Sequence, residues 1–137
     1  VGEAITDGSS VTSVTVYPLC KNWFGYEIIT KQLTLTDAST ITWNTALSKM
    51  ATVTIGATGR TLNIQFWTPG IYQLNVVQDG TGSRTITTYN AYSPTATITI
   101  KWAGGSAPTL TTTLNKIDVI TFVYDGTNVL ADARLNF

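Results

Sequence analysis

The sequence contains no histidine, and this absence removes most of the side-chain chemistry that enzymes use near neutral pH. Histidine is the usual general base at that pH, and it also completes Ser–His–Asp triads and many zinc sites. The single cysteine, Cys20, therefore lacks the histidine partner that a catalytic thiol normally needs, and no internal disulfide can form. We interpret Cys20 as a small buried apolar residue. The composition predicts a protein that is not an enzyme and that holds no cofactor and no metal.

Charge is also scarce, at 12% of the residues with a formal net charge of zero. The usual share of charged residues is about 25%. A nucleic-acid-binding protein should present a basic face, and eight Lys and Arg residues scattered singly along the chain do not supply one. No apolar run approaches the roughly 18 residues that a membrane span requires. We therefore expect neither a nucleic-acid partner nor insertion into a membrane.

Threonine supplies most of the polarity, with 27 of the 137 residues. Its β-branched side chain suits a pleated, half-exposed strand and disfavours helix. Short segments in which apolar and polar residues alternate are separated by Gly, Pro, Asp and Asn turns at close spacing. We therefore predict an all-β fold, an antiparallel two-sheet sandwich that is jelly-roll-like and has about ten short strands. Residues 1–10 form a flexible lead-in in this prediction, and residues 11–137 form a single β-sandwich domain.

Four segments lead to more specific predictions. Residues 11–16 alternate cleanly and should form a strand. Residues 40–50 are ambiguous, and we favour a strand through Trp43 followed by an irregular link. Residues 109–113 should form another strand. Residues 117–124 are almost continuously apolar or β-branched, which predicts a central strand that is buried on both faces.

The prediction of the fold depends most on residues 70–128, because they contain two segments in which Asp-Gly-Thr separates apolar alternating runs. Asp-Gly in this setting is the strongest short-range indication of a β-hairpin. We predict that Asp79 and Asp125 cap their own turns with their carboxylates, while Gly80 and Gly126 supply a positive φ. A β-branched residue at either glycine should damage folding before it affects binding. The flanking residues do not repeat, so we attribute the two segments to reused turn chemistry and not to a duplication.

Aromatic residues outside the core pattern are the candidates for ligand or subunit contact. Sugar rings stack on exposed aromatic faces, so the four tryptophans make carbohydrate binding one hypothesis. Trp102 continues the inward register of Ile98 and Ile100, and we assign it to the core. A subunit interface explains the aromatic group at 23–26 at least as well as a ligand does. The candidates, all in predicted loops or at strand ends, are Trp23, Phe24, Tyr26, Trp67, Tyr89 and Tyr92.

Asp118 interrupts a very apolar strand and is the most conspicuous of the acidic residues. A glycosidase would need a second carboxylate facing it across a cleft. The alternative is a carboxylate held by backbone N–H groups or by an arginine at a strand end, and we favour this structural role. The two Asp-Gly-Thr segments are too sparse in carboxylates to predict a calcium site.

The ordered motifs of residues 70–128 resemble a module of bacteriophage virion proteins, notably head-fibre, spike and tail-fibre proteins. The recurrent features there look like Y-x-L-x-V-x-QDGTGSRTIT followed by KW-x-GG-x-AP-x-LTTT-x-NK-x-DVI-x-F-x-YDGTN. The matching positions in this chain are Tyr72, Leu74, Val76, 78–87, 101–102, 104–105, 107–108, 110–113, 115–116, 118–120, Phe122 and 124–128. Residues 1–50 lie outside the resemblance.

The resemblance implies a structural β-sandwich domain at the virion surface, commonly trimeric, that decorates the particle or touches the host envelope. The partners that it implies are two further copies in a homotrimer, other virion proteins, and a host-surface glycan or protein. It brings no catalytic residue with it. Two other functions are kept as hypotheses. A carbohydrate-binding module of a larger protein would fit the aromatic residues and the start at Val1 instead of methionine. A depolymerase would need paired carboxylates in a groove, and Asp118 would be one of them.

Overall fold

The computed structural model describes residues 31–137, which form two β-sheets packed face to face. The strands of this part of the chain are β1 (Leu33–Thr34), β2 (Thr40–Asn44), β3 (Met50–Ile55), β4 (Arg60–Gln65), β5 (Gly70–Gln78), β6 (Ile86–Tyr92), β7 (Thr97–Ile98), β8 (Ile100–Trp102), β9 (Ile117–Tyr124) and β10 (Val129–Arg134). A short 3-10 turn at Ala103–Gly105 follows β8. The predicted all-β, two-sheet fold is confirmed. The predicted lead-in at 1–10, the predicted strand at 11–16 and Cys20 lie outside the described residues.

From β1 to β6 the chain alternates between the two sheets. The six-stranded sheet has the order β1-β3-β5-β9-β10-β8, and the four-stranded sheet has the order β2-β4-β6-β7. Each strand from β1 to β4 is followed by a strand of the opposite sheet, and the strand after that returns to lie parallel beside the first. Ala51 of β3 thus pairs with Leu74 of β5, and Ile41 of β2 pairs with Leu62 of β4. A helix commonly makes such a crossover between parallel strands, whereas a strand of the other sheet makes it here.

The predicted antiparallel, jelly-roll-like arrangement is wrong. Five pairings among the described strands are parallel, and three are antiparallel, namely β5 with β9, β9 with β10, and β6 with β7. Alternation of apolar and polar residues reports that a strand buries one face. It is the same beside a parallel and an antiparallel neighbour, and for this reason the pattern could not separate the two arrangements.

Two of the more specific strand predictions also need correction. Residues 109–113 form no strand, although Leu110 is buried within them. β9 is central, between β5 and β10, but it buries only one face, because its outward position Val123 is 38% exposed. The ambiguous segment follows the favoured prediction, since a strand containing Trp43 ends at Asn44 and a turn comes next.

The first Asp-Gly-Thr segment, 79–81, makes no hairpin. It joins β5 of one sheet to β6 of the other. The Asp79 carboxylate accepts hydrogen bonds from the backbone N–H groups of Thr81 (2.9 Å) and Gly82 (2.8 Å). Positive φ occurs at Gly82 and Ser83 and not at Gly80, so the prediction for Gly80 is wrong. The chain changes sheets at Gly82 and Ser83, beyond the motif itself.

The second Asp-Gly-Thr segment, 125–127, does join a hairpin. β9 and β10 are antiparallel neighbours, with Tyr124 opposite Val129. The Asp125 carboxylate accepts hydrogen bonds from the backbone N–H groups of Thr127 (2.8 Å) and Asn128 (2.6 Å). Gly126 has a φ of 104°, which strains any residue with a Cβ, so a β-branched replacement there should still damage folding.

The core between the sheets is centred on aromatic rings in edge contact. Trp43 of the four-stranded sheet meets Tyr72 and Phe122 of the other sheet at ring-centroid distances of 6.2 and 6.4 Å. The Trp43 indole Nε1 donates to the Ser48 carbonyl oxygen at 3.2 Å, so its polar atom is satisfied although the residue is fully buried. Trp102 packs edge-on against Phe122 at 5.9 Å, in agreement with its assignment to the core. The contacts of Trp43 with Tyr72 and Phe122 fix the two sheets relative to each other.

Candidate functional site

The outer face of the six-stranded sheet carries a row of exposed apolar side chains. Alternation along β5, β9 and β10 turns Ile71, Val123 and Leu130 outward, and strand register places Val123 between the other two. Ile71 is 65% exposed and Leu130 is 49% exposed. Single exposed apolar residues are ordinary, but a contiguous set on one face is typical of a surface that contacts another molecule. We call these three residues the apolar row.

A groove of about 650 Å³ lies over the same face. Its lining includes Leu130 of the apolar row and the charged residues Lys101, Asp132 and Arg134. Lys101 Nζ donates a hydrogen bond to Asn128 Oδ1 at 2.7 Å, whereas within the described chain Asp132 and Arg134 take part in no ion pair. A face that combines apolar side chains with charges of both signs is complementary to a protein surface, including a second copy of itself.

The outer face of the four-stranded sheet has a different character, because its strand positions carry hydroxyl and amide groups. β2, β4 and β6 lie in parallel register, so their outward side chains form rows across three strands. The rows are Thr40 with Thr61 and Thr88, Thr42 with Asn63 and Asn90, and Asn44 with Gln65 and Tyr92. We call them the polar rows.

A shallow hollow of about 330 Å³ lies among the polar rows and is lined by Thr42, Asn63, Gln65, Tyr92 and Ser93. The Asn90 amide Nδ2 donates to Asn63 Oδ1 at 2.9 Å, which fixes the orientation of both amides. The structure thus brings the predicted candidate Tyr92 together with amide and hydroxyl side chains of neighbouring strands.

Two ion pairs lie beside Gly56, in the turn after β3. The Asp37 carboxylate accepts hydrogen bonds from Arg60 Nε (2.8 Å) and from the Gly56 N–H (3.2 Å). The Asp79 carboxylate accepts a hydrogen bond from Arg84 Nε at 3.0 Å. The guanidinium groups of Arg60 and Arg84, through these hydrogen bonds, hold the pKa of Asp37 and the pKa of Asp79 below the ordinary value for aspartate. These carboxylates are satisfied by the protein itself: Asp37 ties its turn to the turn after β3, whereas Asp79 closes its own turn.

We expect the free energy of unfolding to fall when the pH is lowered below about 4. Each of these carboxyls has a folded-state pKa below its unfolded-state pKa, so its contribution is complete above the unfolded value and is lost as the pH falls through the folded value. Since the chain has no histidine, we expect little change between about pH 5 and 8. Urea unfolding at a series of pH values measures the dependence. The variant Asp37→Asn should show a shallower acid decline, and an unchanged slope would contradict this account.

The other predicted aromatic candidates occupy different places. Trp67 is 46% exposed in the link between β4 and β5. Tyr89 faces the interior, where its ring packs edge-on against Trp102 at a centroid distance of 5.0 Å. Its hydroxyl is buried and has no hydrogen-bond partner among the described residues, and burial raises the pKa of Tyr89. The structure therefore does not bring Tyr89 to the surface beside Tyr92.

The predicted contact residues Trp23, Phe24 and Tyr26 lie outside the described residues.

Asp118 has the structural role that the sequence favours. Its side chain is buried, with the residue 1% exposed. One carboxylate oxygen accepts the backbone N–H of Thr111 at 2.6 Å and the other accepts the backbone N–H of Asn136 at 2.9 Å. A carboxylate that is occupied in this way and removed from solvent does not fit the acid or base of a glycosidase, which must reach its substrate.

Sequence reasoning missed both outer faces. The apolar row was detectable in principle, because Ile71, Val123 and Leu130 stand where alternation predicts outward polar residues. The polar rows could not be found in this way, because outward Thr, Asn and Gln are ordinary on any strand. Only the parallel register of β2, β4 and β6 makes them neighbours.

Within residues 31–137 no three His, Cys, Asp or Glu side chains are grouped as a metal site would require. The same part of the chain has no helix that is long and apolar enough to cross a membrane. Comparison of the chain with protein-family models, with curated proteins and with solved structures gives no match.

Proposed function

We propose that the chain is a structural domain of a bacteriophage virion surface, of the fibre or spike type. In this proposal it forms a homotrimer, contacts other virion proteins, decorates the particle and attaches to the host surface. The ordered motifs of residues 70–128 suggest this setting through their resemblance to such proteins. The observation that carries the proposal is the apolar row beside the groove on the six-stranded sheet. A subunit contact would remove this exposed apolar surface from water.

The chemistry of the groove is consistent with contact between copies. Leu130 pairs in register with Lys101 and lies on the same strand as Asp132 and Arg134. Apolar side chains provide the area that association buries, and charges of both signs allow one copy to meet another without like-charge repulsion. The chain's zero net charge also imposes no long-range repulsion between copies.

Native mass measurement of the whole chain at micromolar concentration tests this proposal. We expect a particle of three times the 14.8 kDa chain mass. The variant Leu130→Lys should weaken assembly by at least about tenfold, because it places an ammonium group against the apolar row of the partner. Leu47→Lys makes the same substitution at a leucine that is 69% exposed in the turn after β2, and it should leave assembly unchanged.

Two outcomes would count against the proposal. A wild-type chain that stays monomeric at micromolar concentration contradicts the homotrimer. Equal losses of assembly in Leu130→Lys and Leu47→Lys would show that the outer face of the six-stranded sheet is not the contact.

A carbohydrate-binding module of a larger protein is the second candidate, and the exposed Trp67 is the observation that favours it. The residue is 46% exposed, which leaves its ring able to stack on a sugar. A glycan array with the wild type and with Trp67→Ala tests this candidate, which fails if the array shows no binding or if the variant binds as well as the wild type does.

A further inference from the structure

We infer that the outer face of the four-stranded sheet binds a neutral carbohydrate, seated in the hollow beside Tyr92. The inference assigns a ligand class and a binding site to the host-surface attachment of the proposed function. It rests on that function for its biological setting. Its physical basis is the chemistry of the polar rows alone.

The scarcity of charge on the described strands of this face restricts the ligand class. Among the strands β2, β4, β6 and β7 the one charged residue is Arg60, which is hydrogen-bonded to Asp37 at the start of β4. A sulfated, phosphorylated or sialylated ligand would gain from Lys or Arg, which provide the strong charge-assisted contacts to such anions. A protein partner would normally use apolar anchors at the centre of its contact. The strands of the polar rows carry no charged group other than Arg60, and the one large apolar surface in the rows is the ring of Tyr92. An uncharged, hydroxyl-rich ligand with an apolar C–H face therefore fits them best.

The functional groups on this face complement sugar hydroxyls. An amide offers two N–H donors and an acceptor oxygen, and a hydroxyl offers one donor and an acceptor, so each can meet the mixed donor and acceptor character of a sugar. The Gln65 amide and the Tyr92 hydroxyl make no hydrogen bond to other side chains of the described chain. The Tyr92 ring adds an apolar surface for the C–H face of a sugar.

The groups are also held in place before any ligand arrives. They stand on strands in parallel register, where neighbouring strands are about 4.8 Å apart and successive outward side chains about 6.6 Å apart. The hydrogen bond from Asn90 to Asn63 orients two of the amides. The strand backbone and these two amides lose little conformational entropy on binding, which favours affinity. The hollow of about 330 Å³ is at the lower end of the range for small-ligand sites and suits one or two sugar rings.

A glycan array tests the inference with the whole chain. The array carries neutral oligosaccharides of glucose, galactose and mannose, together with sialylated and sulfated oligosaccharides. Titration of the strongest neutral binder then gives the affinity. We expect binding to neutral members only, and an affinity that falls by about tenfold or more in Gln65→Leu and in Tyr92→Ala. Gln65→Leu keeps the side-chain length on an outward strand position, so it remains informative if Tyr92→Ala unfolds.

The matched control is Thr54→Val, which changes an outward residue of β3 on the other sheet and should bind as the wild type does. Binding restricted to anionic glycans, no binding at all, or binding that Gln65→Leu leaves intact would overturn the inference. A change of mass in Gln65→Leu without glycan binding would assign this face to a contact between copies instead. Mass measurement of the same samples separates the two ideas: a trimer that binds no glycan overturns only the inference, whereas a monomer that binds neutral glycan overturns only the proposed assembly.

Discussion

Replacement of Gly82 by alanine is expected to lower the free energy of unfolding by about 2–4 kcal/mol. Gly82 has a φ of 77°, in the left-handed region, where a residue with a Cβ is strained. A Cβ at this position would lie 2.6 Å from the Thr112 carbonyl oxygen and 2.9 Å from the Leu114 amide nitrogen. Both atoms belong to backbone, so the clash can be relieved only by moving the chain.

Gly80 provides the matched control, two residues earlier in the same turn. Its φ is not positive, and no atom beyond Gly80 and its two chain neighbours lies within 4 Å of a Cβ built there. Gly80→Ala should therefore change the free energy of unfolding by no more than about 0.5 kcal/mol. Urea unfolding of the wild type and both variants, followed by tryptophan fluorescence, compares the two sites. Equal losses at Gly80 and Gly82, or no loss at Gly82, would contradict this structural explanation of the turn.

These two glycines also show where sequence reasoning stopped. Both Asp-Gly-Thr segments cap their turns with the aspartate carboxylate. They differ in the distance to the next strand, because the apolar strand pattern resumes directly after Asn128 but only at Ile86 after the first segment. The longer interval and its second glycine allow the chain to cross to the other sheet. The local motif fixes the cap, whereas the number of residues before the next strand decides between a hairpin and a crossover.

The sequence predicts which strand positions face the core better than it predicts which strands are neighbours in a sheet. The alternation in residues 62–66 and 72–76 places Leu62 and Leu74 in the core, because burial of one face follows from the period of the strand. Nothing in that period indicates that β4 lies between β2 and β6. The polar rows exist only through this order, so the candidate glycan site could not be derived from the sequence even though Tyr92 was singled out.

The variant Asp118→Asn is expected to lower the free energy of unfolding by about 2–4 kcal/mol. The carboxylate accepts one backbone N–H on each oxygen, from Thr111 and from Asn136, and it is shielded from water. An amide has one acceptor oxygen and one NH₂ group, so one of the two N–H donors would face another donor in a buried site. The cost of that unsatisfied donor and the lost charge-assisted bond cannot be recovered from solvent.

The same variant distinguishes a structural carboxylate from a catalytic one. Asp118 joins the chain segment that precedes β9 to the segment after β10, so its loss should also speed hydrogen exchange at the Thr111 and Asn136 amides. Asp132→Asn, at an exposed position on the neighbouring strand, should change the free energy of unfolding by no more than about 0.5 kcal/mol at equal protein concentration. A depolymerase would show the opposite pattern, with full stability and lost cleavage in Asp118→Asn. If Asp118→Asn unfolds at the same urea concentration as the wild type and the Thr111 and Asn136 amides stay protected, the structural role assigned to Asp118 is contradicted.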